Sequence, residues 1–516
     1  MMDSDVLSTA SLIQLPPNTF SLAEVPASAE TTTLATVATA KNNASSLDRF
    51  SALERQQLSQ LPSPQQVRFC AMKLLHAFER SQRHSFKADE LLDSFLESPE
   101  ALAWTDAERS ILTQLVYGTL RCWNELGHWI EHLTLKNLKQ TQPVLRTWLR
   151  LGLYQLRYLS MKPHAVVHET LEAAKYTGIS VPQVKFLNAL LRNYDRLQQA
   201  RGKALPLTSL LADPPQGLEA LALNYGWPRW LLQLLHAEQS DLAYLEQLIQ
   251  ASRLPAPWGV RVHTHTIELE QYIHQLEALG LEYVQPFEEM PCTLVLSNYR
   301  GRAKQLPGFE QGEVYVQDLG SAWLAHEAYA QPGMRVLDLC AAPGSKTFYL
   351  ANQMQHLGEL WSVDISGFRL RRVRENAERL KVDDGFLHIV ACDGREFQHP
   401  QGALFDVVVV DAPCSGMGTL RRHPEILLHR EPEHLEQYTT LQLELLIHAL
   451  GLLKPQGRLI YGTCSVLPQE NREVLALLQK SHGHAFELES QETLWPSSYH
   501  DGFYRAVLVK KAETKD

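Results

Sequence analysis

The chain has 516 residues, 45% hydrophobic and 21% charged, with a formal net charge of −10. That length predicts about three domains, and the acidity excludes indiscriminate whole-surface binding to nucleic acid while leaving room for a local basic face. No apolar run reaches about 18 residues and no basic leader precedes an apolar core, so neither a membrane span nor a secretory signal is expected. The seven cysteines form no C-x-x-C pair and none stands at zinc-finger spacing to a histidine. This excludes a disulfide framework, offers no metal site and fits a reducing cytoplasm.

Residues 1–62 are read as a disordered extension, because Ala27 to Ala44 holds almost no bulky apolar side chain and cannot offset its chain entropy. Asp3, Asp5, Glu24 and Glu30, with no arginine before Arg49, argue against a transit peptide. Residues 63–205 read as an all-α bundle. Apolar residues recur at three and four in Val67, Met72, Leu74, Leu75 and Phe78, in Ile111, Leu112, Leu115, Val116 and Leu120, and through Leu149 to Leu159. Pro163 interrupts the pattern, which resumes over Val166 to Ala174. Pro206, Pro214 and Pro215 mark a linker.

Residues 216–315 read as linker helices, at Trp227–Leu235 and Leu242–Ala251, and a small α+β module. Its parts are a strand at Val260–Val262, a helix at Leu269–Leu279 capped by Gly280, and a strand at Thr293–Leu296. From Met334 short apolar runs alternate with helices: Arg335–Cys340, Leu360–Asp364, His388–Cys392, Asp406–Asp411 and Arg458–Gly462. Runs without in-out alternation are strands covered on both faces, which predicts a parallel, doubly wound α/β sheet over residues 316–516. Ligands belong at the carboxyl ends of such strands.

The first of these strands runs into Cys340-Ala341-Ala342-Pro343-Gly344-Ser345-Lys346. Small residues there let a ligand approach the backbone, and the helix that follows offers free N–H groups to a carboxylate. Asp364 ends the second strand, where an acid can bind ribose hydroxyls, and Asp393 ends the third, where one can accept from an adenine amino group. A phosphate-binding P-loop is excluded, since Ser345 stands where that motif needs glycine before its lysine.

Cys414, in Asp411-Ala412-Pro413-Cys414-Ser415-Gly416, and Cys464, in Gly462-Thr463-Cys464-Ser465, follow the fourth and fifth strands. Both loops should face the ligand crevice. Cytosine C5 is a poor nucleophile until a thiolate adds at C6, so two thiols beside a sulfonium pocket suit methylation at C5 through nucleophilic catalysis. Cys464 is read as the nucleophile, Cys414 as an aid to release, and Asp411 as the group that binds the N3/N4 edge of the base.

At these residues the sequence resembles the RNA cytosine-C5 methyltransferases, most closely the RsmB/Sun (Fmu) family of 16S rRNA methyltransferases. The matching blocks are LDLCAAPGSKT at Leu337–Thr347, VDIS at Val363–Ser366, CDGR at Cys392–Arg395, DAPCSGMGTLRRHPE at Asp411–Glu425, YGTCSVLPQEN at Tyr461–Asn471 and DGFYRAVL at Asp501–Leu508. Upstream, Leu115–Arg121, Gly152–Leu156, Lys162–Ala165 and Asn188–Arg192 look like a NusB-type RNA-binding domain.

The resemblance implies an N-terminal NusB-like helical bundle, an RRM-like α+β module and a Rossmann-like class I methyltransferase domain. It implies a monomeric cytoplasmic enzyme acting on 16S rRNA before full subunit assembly, with no metal. S-adenosylmethionine would be held by Cys340–Lys346, Asp364, Asp393 and Asp411. Two positions depart from the family. Ser345 replaces the usual glycine, which fits unless that residue needs positive φ, and His263 replaces a common asparagine.

Of the basic clusters, Arg421 and Arg422 follow the Cys414 loop and are expected to contact phosphate beside the target base. Arg369, Arg371, Arg372 and Arg374 read as a solvated face. Further groups are Arg300, Arg302 and Lys304, and Lys175, Lys185, Arg192 and Arg196. The target is expected to be an unpaired cytosine, since it must leave its stack. Two other readings fit the sequence: the same chemistry on tRNA, and a catalytically silent RNA-binding assembly factor.

Overall fold

The computed structural model describes residues 61–80, 88–135, 137–202 and 205–512. The extension expected to be disordered lies outside the described residues except for its last two positions. The helical region comprises α1 (Ser63–Arg80), α2 (Ala88–Leu96), α3 (Asp106–Arg121), α4 (Trp123–Thr134), α5 (Pro143–Tyr158), α6 (Pro163–Ala174) and α7 (Val181–Arg201). Their apolar stripes meet in one core that includes Phe69, Leu75, Leu115, Trp148, Leu151 and Leu191.

The starts of these helices are written in the sequence. Thr105 and Glu108 form a reciprocal capping box on α3. Pro143 and Pro163 open α5 and α6, where a missing N–H costs nothing. Pro163 thus begins a helix as well as ending the preceding pattern.

Helices α8 (Gly217–Tyr225), α9 (Arg229–Glu238) and α10 (Leu242–Ser252) follow. Their Leu221, Trp227, Leu232, Leu235 and Leu248 share an apolar cluster with Met417, Leu420, Val466 and Leu467. The segment between the helical region and the module is therefore the floor on which the loops after Cys414 and Cys464 rest.

The small module holds β1 (Trp258–Val262), α11 (Leu269–Ala278), β2 (Tyr283–Val284), β3 (Thr293–Leu296) and β4 (Val314–Val316). They form an antiparallel sheet in the order β2-β3-β1-β4, two strands more than the sequence pattern marks. Gly280 has φ +66°, as a helix-ending glycine requires.

After α12 (Leu319–His326) comes the large sheet. Its strands are β5 (Arg335–Asp338), β6 (Glu359–Asp364), β7 (Leu387–Ala391), β8 (Phe405–Asp411), β9 (Leu453–Thr463), β10 (Phe486–Leu494) and β11 (Phe503–Lys510). Interspersed are α13 (Ser345–Gln353), α14 (Leu370–Arg379), α15 (Glu433–Leu452) and α16 (Arg472–His482). The strand order is β7-β6-β5-β8-β9-β11-β10.

Strands β5 to β9 are parallel, as expected, while β11 and β10 add an antiparallel edge. β10 escaped the sequence reading because its Glu487, Glu489, Gln491 and Glu492 break any apolar run. No helix among the described residues is long and apolar enough to cross a membrane.

Candidate active site

The carboxyl ends of β5, β6 and β8 lie side by side, because these parallel strands are neighbours in the sheet. Gly344 takes φ +106°, and a Cβ there would lie 2.9 Å from the Phe348 ring. Glycine is therefore needed at position 344. Ser345 follows as the first residue of α13, so its substitution for glycine is free of strain. The loop backbone stays bare beside the opening turn of α13, the arrangement that suits an anionic or close-packed ligand.

Asp364 is buried, and its Oδ2 accepts from the Ala342 N–H at 3.1 Å while its Oδ1 accepts from the Ser366 N–H at 2.9 Å. It thus ties the β5 loop to the end of β6. Arg369, read from sequence as part of a solvated face, instead pairs with Asp364 at 3.1 Å and reaches the Ala342 carbonyl. Asp393 pairs with Arg395 at 2.6 Å, which holds its carboxyl below the usual carboxylate range. Cys340 sits among the acids, and burial, with Asp364 and Asp411 nearby, pushes its thiol well up. It is an inert packing thiol.

Lys346 does not stay with the cofactor loop. Its ammonium lies 2.6 Å from Asp411 Oδ2 and 3.0 Å from Ser321 Oγ. Asp411 is half-buried at the end of β8, with a fixed cation against it. Next to it the two candidate thiols meet: Cys414 Sγ and Cys464 Sγ are 3.3 Å apart, and both residues are half-buried. The Cys464 hydrogen bond, burial and the acids Glu470 and Asp411 push the Cys414 thiol well above its ordinary range. Either sulfur can donate its S–H to the other.

The two loops are fastened by groups that the sequence reading did not single out. Glu470 is fully buried and its Oε1 accepts from the Ser415 N–H at 2.6 Å, while its Oε2 accepts from Ser415 Oγ. Burial raises its carboxyl, and the Ser415 and Ser465 hydroxyls partly offset this. The Gly418 N–H donates to the Cys464 carbonyl at 2.9 Å, and a Cβ on Gly418 would collide with the Gly502 carbonyl at 2.1 Å. Little in the sequence signals Glu470, which stands between Gln469 and Asn471 in a polar run that follows the apolar Val466-Leu467-Pro468.

Arg421 and Arg422 correct the sequence expectation. Arg421 is only 4% exposed; it pairs with Asp501 and donates to the Ser497 carbonyl at 2.8 Å. Arg422 spans Asp501 at 2.6 Å and Asp318 at 2.8 Å. Burial would raise the Asp501 carboxyl, but the two guanidiniums hold it below its usual range. Arg421 is committed to Asp501 and the Ser497 carbonyl, and Arg422 to Asp501, Asp318 and the Pro257 carbonyl, so both brace the loop. His263 is likewise internal, with Nδ1 3.0 Å from Thr266 Oγ1, and burial beside Arg261 lowers it to about 2.

The family model described as 16S rRNA methyltransferase RsmB/F matches residues 328–509, and that of the NusB family matches residues 65–196. The ribosomal RNA small subunit methyltransferase B of Vibrio cholerae is 34% identical over 418 residues, spanning 78% of this chain and 90% of the relative. This chain belongs to the ribosomal RNA small subunit methyltransferase B family. The protein of that name from Pseudomonas syringae pv. tomato is also 34% identical, over 429 residues and the same shares of each chain.

Among solved structures, that of PH0851 shares the fold, with a TM-score of 0.68 at 23% identity over 87% of this chain and 99% of its own. A methyltransferase homologue from Pyrococcus horikoshii has a TM-score of 0.50 at 25% identity, covering 57% of this chain and 99% of its own. As a member of this family the chain is an S-adenosylmethionine-dependent RNA methyltransferase, with a NusB-like helical domain and a Rossmann-like catalytic domain. The bare loop at Gly344, the opening turn of α13 and the acids at successive strand ends fit such a cofactor.

Proposed function

We propose that this methyltransferase modifies C5 of a cytosine in 16S rRNA through a transient bond from Cys464 to C6. The observation that carries the reading is the pair of sulfurs 3.3 Å apart at adjacent strand ends, beside Asp411 and its Lys346 cation. When bound, S-adenosylmethionine supplies an electrophilic methyl group. The loop Cys340–Ser345, with Asp364, Asp393 and Asp411, would hold it, while Lys346 serves Asp411.

The chain's own residues prepare the base. Cys464 Sγ, as thiolate, forms a bond to C6 and pushes electrons toward C5 and N3. Asp411, steadied by Lys346, binds the N3/N4 edge where charge develops. Once C5 carries the methyl, its proton leaves and the S–C6 electrons return to sulfur, with Cys414 adjacent to assist that release. The two thiols thus have different tasks, bond formation at Cys464 and release at Cys414.

The substrate reading rests on the relatives, which are named for ribosomal RNA of the small subunit. It is supported by exposed basic residues on the helical domain, Lys175, Lys185, Arg192 and Arg196, with the exposed rings of Tyr176 and Phe186 next in sequence to the two lysines. Bases stack on such rings while the cations meet phosphate.

Labelled methyl transfer to naked 16S rRNA, with tRNA in parallel, tests the proposal. Transfer to rRNA is expected, abolished in Cys464→Ala, while Cys414→Ala accumulates a protein–RNA adduct that survives denaturing electrophoresis. An adduct in Cys464→Ala would reverse the two roles. Transfer to tRNA alone would overturn the substrate.

A further inference from the structure

Beyond the methylation site, the described residues hold one cluster of three side chains with metal-ligating atoms close enough to share an ion. Asp89, His423 and Glu425 each offer a ligand atom, all within 4.8 Å of one another. Asp89 is the second residue of α2, in the helical domain, while His423 and Glu425 close the loop that begins at Cys414. The Ala88 N–H donates to Glu425 Oε1 at 3.3 Å across 337 positions of sequence.

The cluster is more than a patch of acids. Glu425 is 5% exposed, and its Oε2 has no hydrogen-bond partner among the described residues. His423 Nδ1 is also buried and without a hydrogen bond there, although it lies 3.4 Å from Glu425 Oε1. A buried carboxylate oxygen and a buried imidazole nitrogen in this state carry a substantial desolvation cost.

The surroundings add negative charge. Burial and the charge of Asp89 push the Asp93 carboxyl up to about 6, with Arg372 only partly offsetting them. Burial, Asp89, Asp93 and Glu425 together push the Tyr117 phenol up.

We propose that Asp89, His423 and Glu425 bind a single Zn²⁺ that fastens the helical domain to the loop carrying Cys414. One imidazole nitrogen and two carboxylates are ligands that Zn²⁺ accepts, at about 2.0–2.2 Å each. Ligand atoms around such an ion stand roughly 3–4 Å apart, and those of the cluster lie within 4.8 Å of one another. The ion satisfies Glu425 and His423 and neutralises the acidic excess. It lies beside a second tether of the same loop, the Arg121 guanidinium that donates to the Arg421 carbonyl at 2.6 and 2.9 Å. Its task is structural, independent of which base is methylated.

The sequence offered no such motif because the site is assembled from two domains. The paired thiols of Cys414 and Cys464 also offer ligands to zinc. Zinc binding to the chelator-treated full chain, measured by calorimetry and by the rise in melting temperature, separates the two. One equivalent is expected to bind, with binding retained in the Cys414→Ser/Cys464→Ser double variant. It should weaken by at least about 100-fold, the scale that even a lost outer-shell partner reaches, in Glu425→Gln and in His423→Asn. The part-exposed Asp89→Asn variant, in which the catalytic-domain loop is left intact, should weaken binding as well. Binding that disappears with the two cysteines and survives in Glu425→Gln and Asp89→Asn would overturn the proposal, as would no binding to the unaltered chain.

Discussion

The loop from Asp411 to Glu425 has two halves of opposite character. In the first, Asp411 and Cys414 stay half-exposed, with a cation and a second sulfur within hydrogen-bonding distance. In the second, Gly418, Arg421 and Glu425 are buried and turned toward other parts of the chain. The halves are adjacent and both rich in polar residues, yet one is arranged to meet a ligand and the other to hold the loop in place. What separates them is where the counter-charges lie. Arg421 and Arg422 find Asp501 and Asp318 inside the protein, and a guanidinium already committed there has little to offer a phosphate.

That contrast is broken most directly at Arg421. Arg421→Ala leaves Asp501 buried with one arginine, and the loss of a partner from a buried pair costs about 3–5 kcal/mol of stability. Denaturant unfolding should show this, while the salt dependence of RNA binding by the remaining folded protein keeps its slope. Arg192→Ala, on the exposed face of α7, should do the reverse: unchanged stability and a salt slope smaller by about one. A reduced slope in Arg421→Ala with unchanged stability would restore the phosphate contact and dissolve the comparison.

The first half of the loop responds differently. Asp411→Asn removes charge where the proposed mechanism binds the base, and the transfer rate should fall about 10²–10³-fold, the usual cost of a lost group of this kind. The melting temperature should also fall, because the buried Lys346 ammonium loses its carboxylate partner, but the loss of rate should exceed what that loss of stability explains. A variant that melts early yet transfers methyl at the normal rate would move Asp411 to the bracing half.

Much of this was legible in the sequence where local backbone decides the outcome. The alternation of apolar runs with helices marked β5 to β9, and the Ala341–Gly344 turn and the strand-end acids marked the crevice. Asp411, Cys414 and Cys464 were placed beside one another by topology alone, since adjacent parallel strands end together. Partners that come from far along the chain were not legible. Nothing near Arg421 in sequence announces Asp501, and nothing near Glu470 announces Ser415. Arg369 looked like one of several surface arginines because its distinguishing feature, the carboxylate of Asp364, becomes a neighbour only once β6 turns into α14. β10 was missed for another reason: an exposed edge strand needs no apolar run.

A buried acid that belongs to neither half supplies the last and smallest test. Asp338, at the end of β5, is wholly buried; Thr347 Oγ1 donates to its Oδ2 at 2.7 Å, and its Oδ1 has no partner among the described residues. Burial pushes its carboxyl up to about 7, against the lowering influence of Thr347 and Lys346. The folded chain therefore keeps a proton that the unfolded chain releases from about pH 4 upward, so this group's contribution to stability declines as pH rises and levels off above about pH 7. Between about pH 6 and pH 8 the remaining decline amounts to about 1.4 kcal/mol, one pKa unit's worth. Asp338→Asn can still accept from Thr347 but has no proton to lose, so its stability should fall by that much less over the same interval. Parallel stability curves for the two proteins, measured by denaturant unfolding at each pH, would mean that Asp338 is already ionised in the folded state and that its charge is compensated by Lys346, placing it with Asp411 in the electrostatics of the crevice.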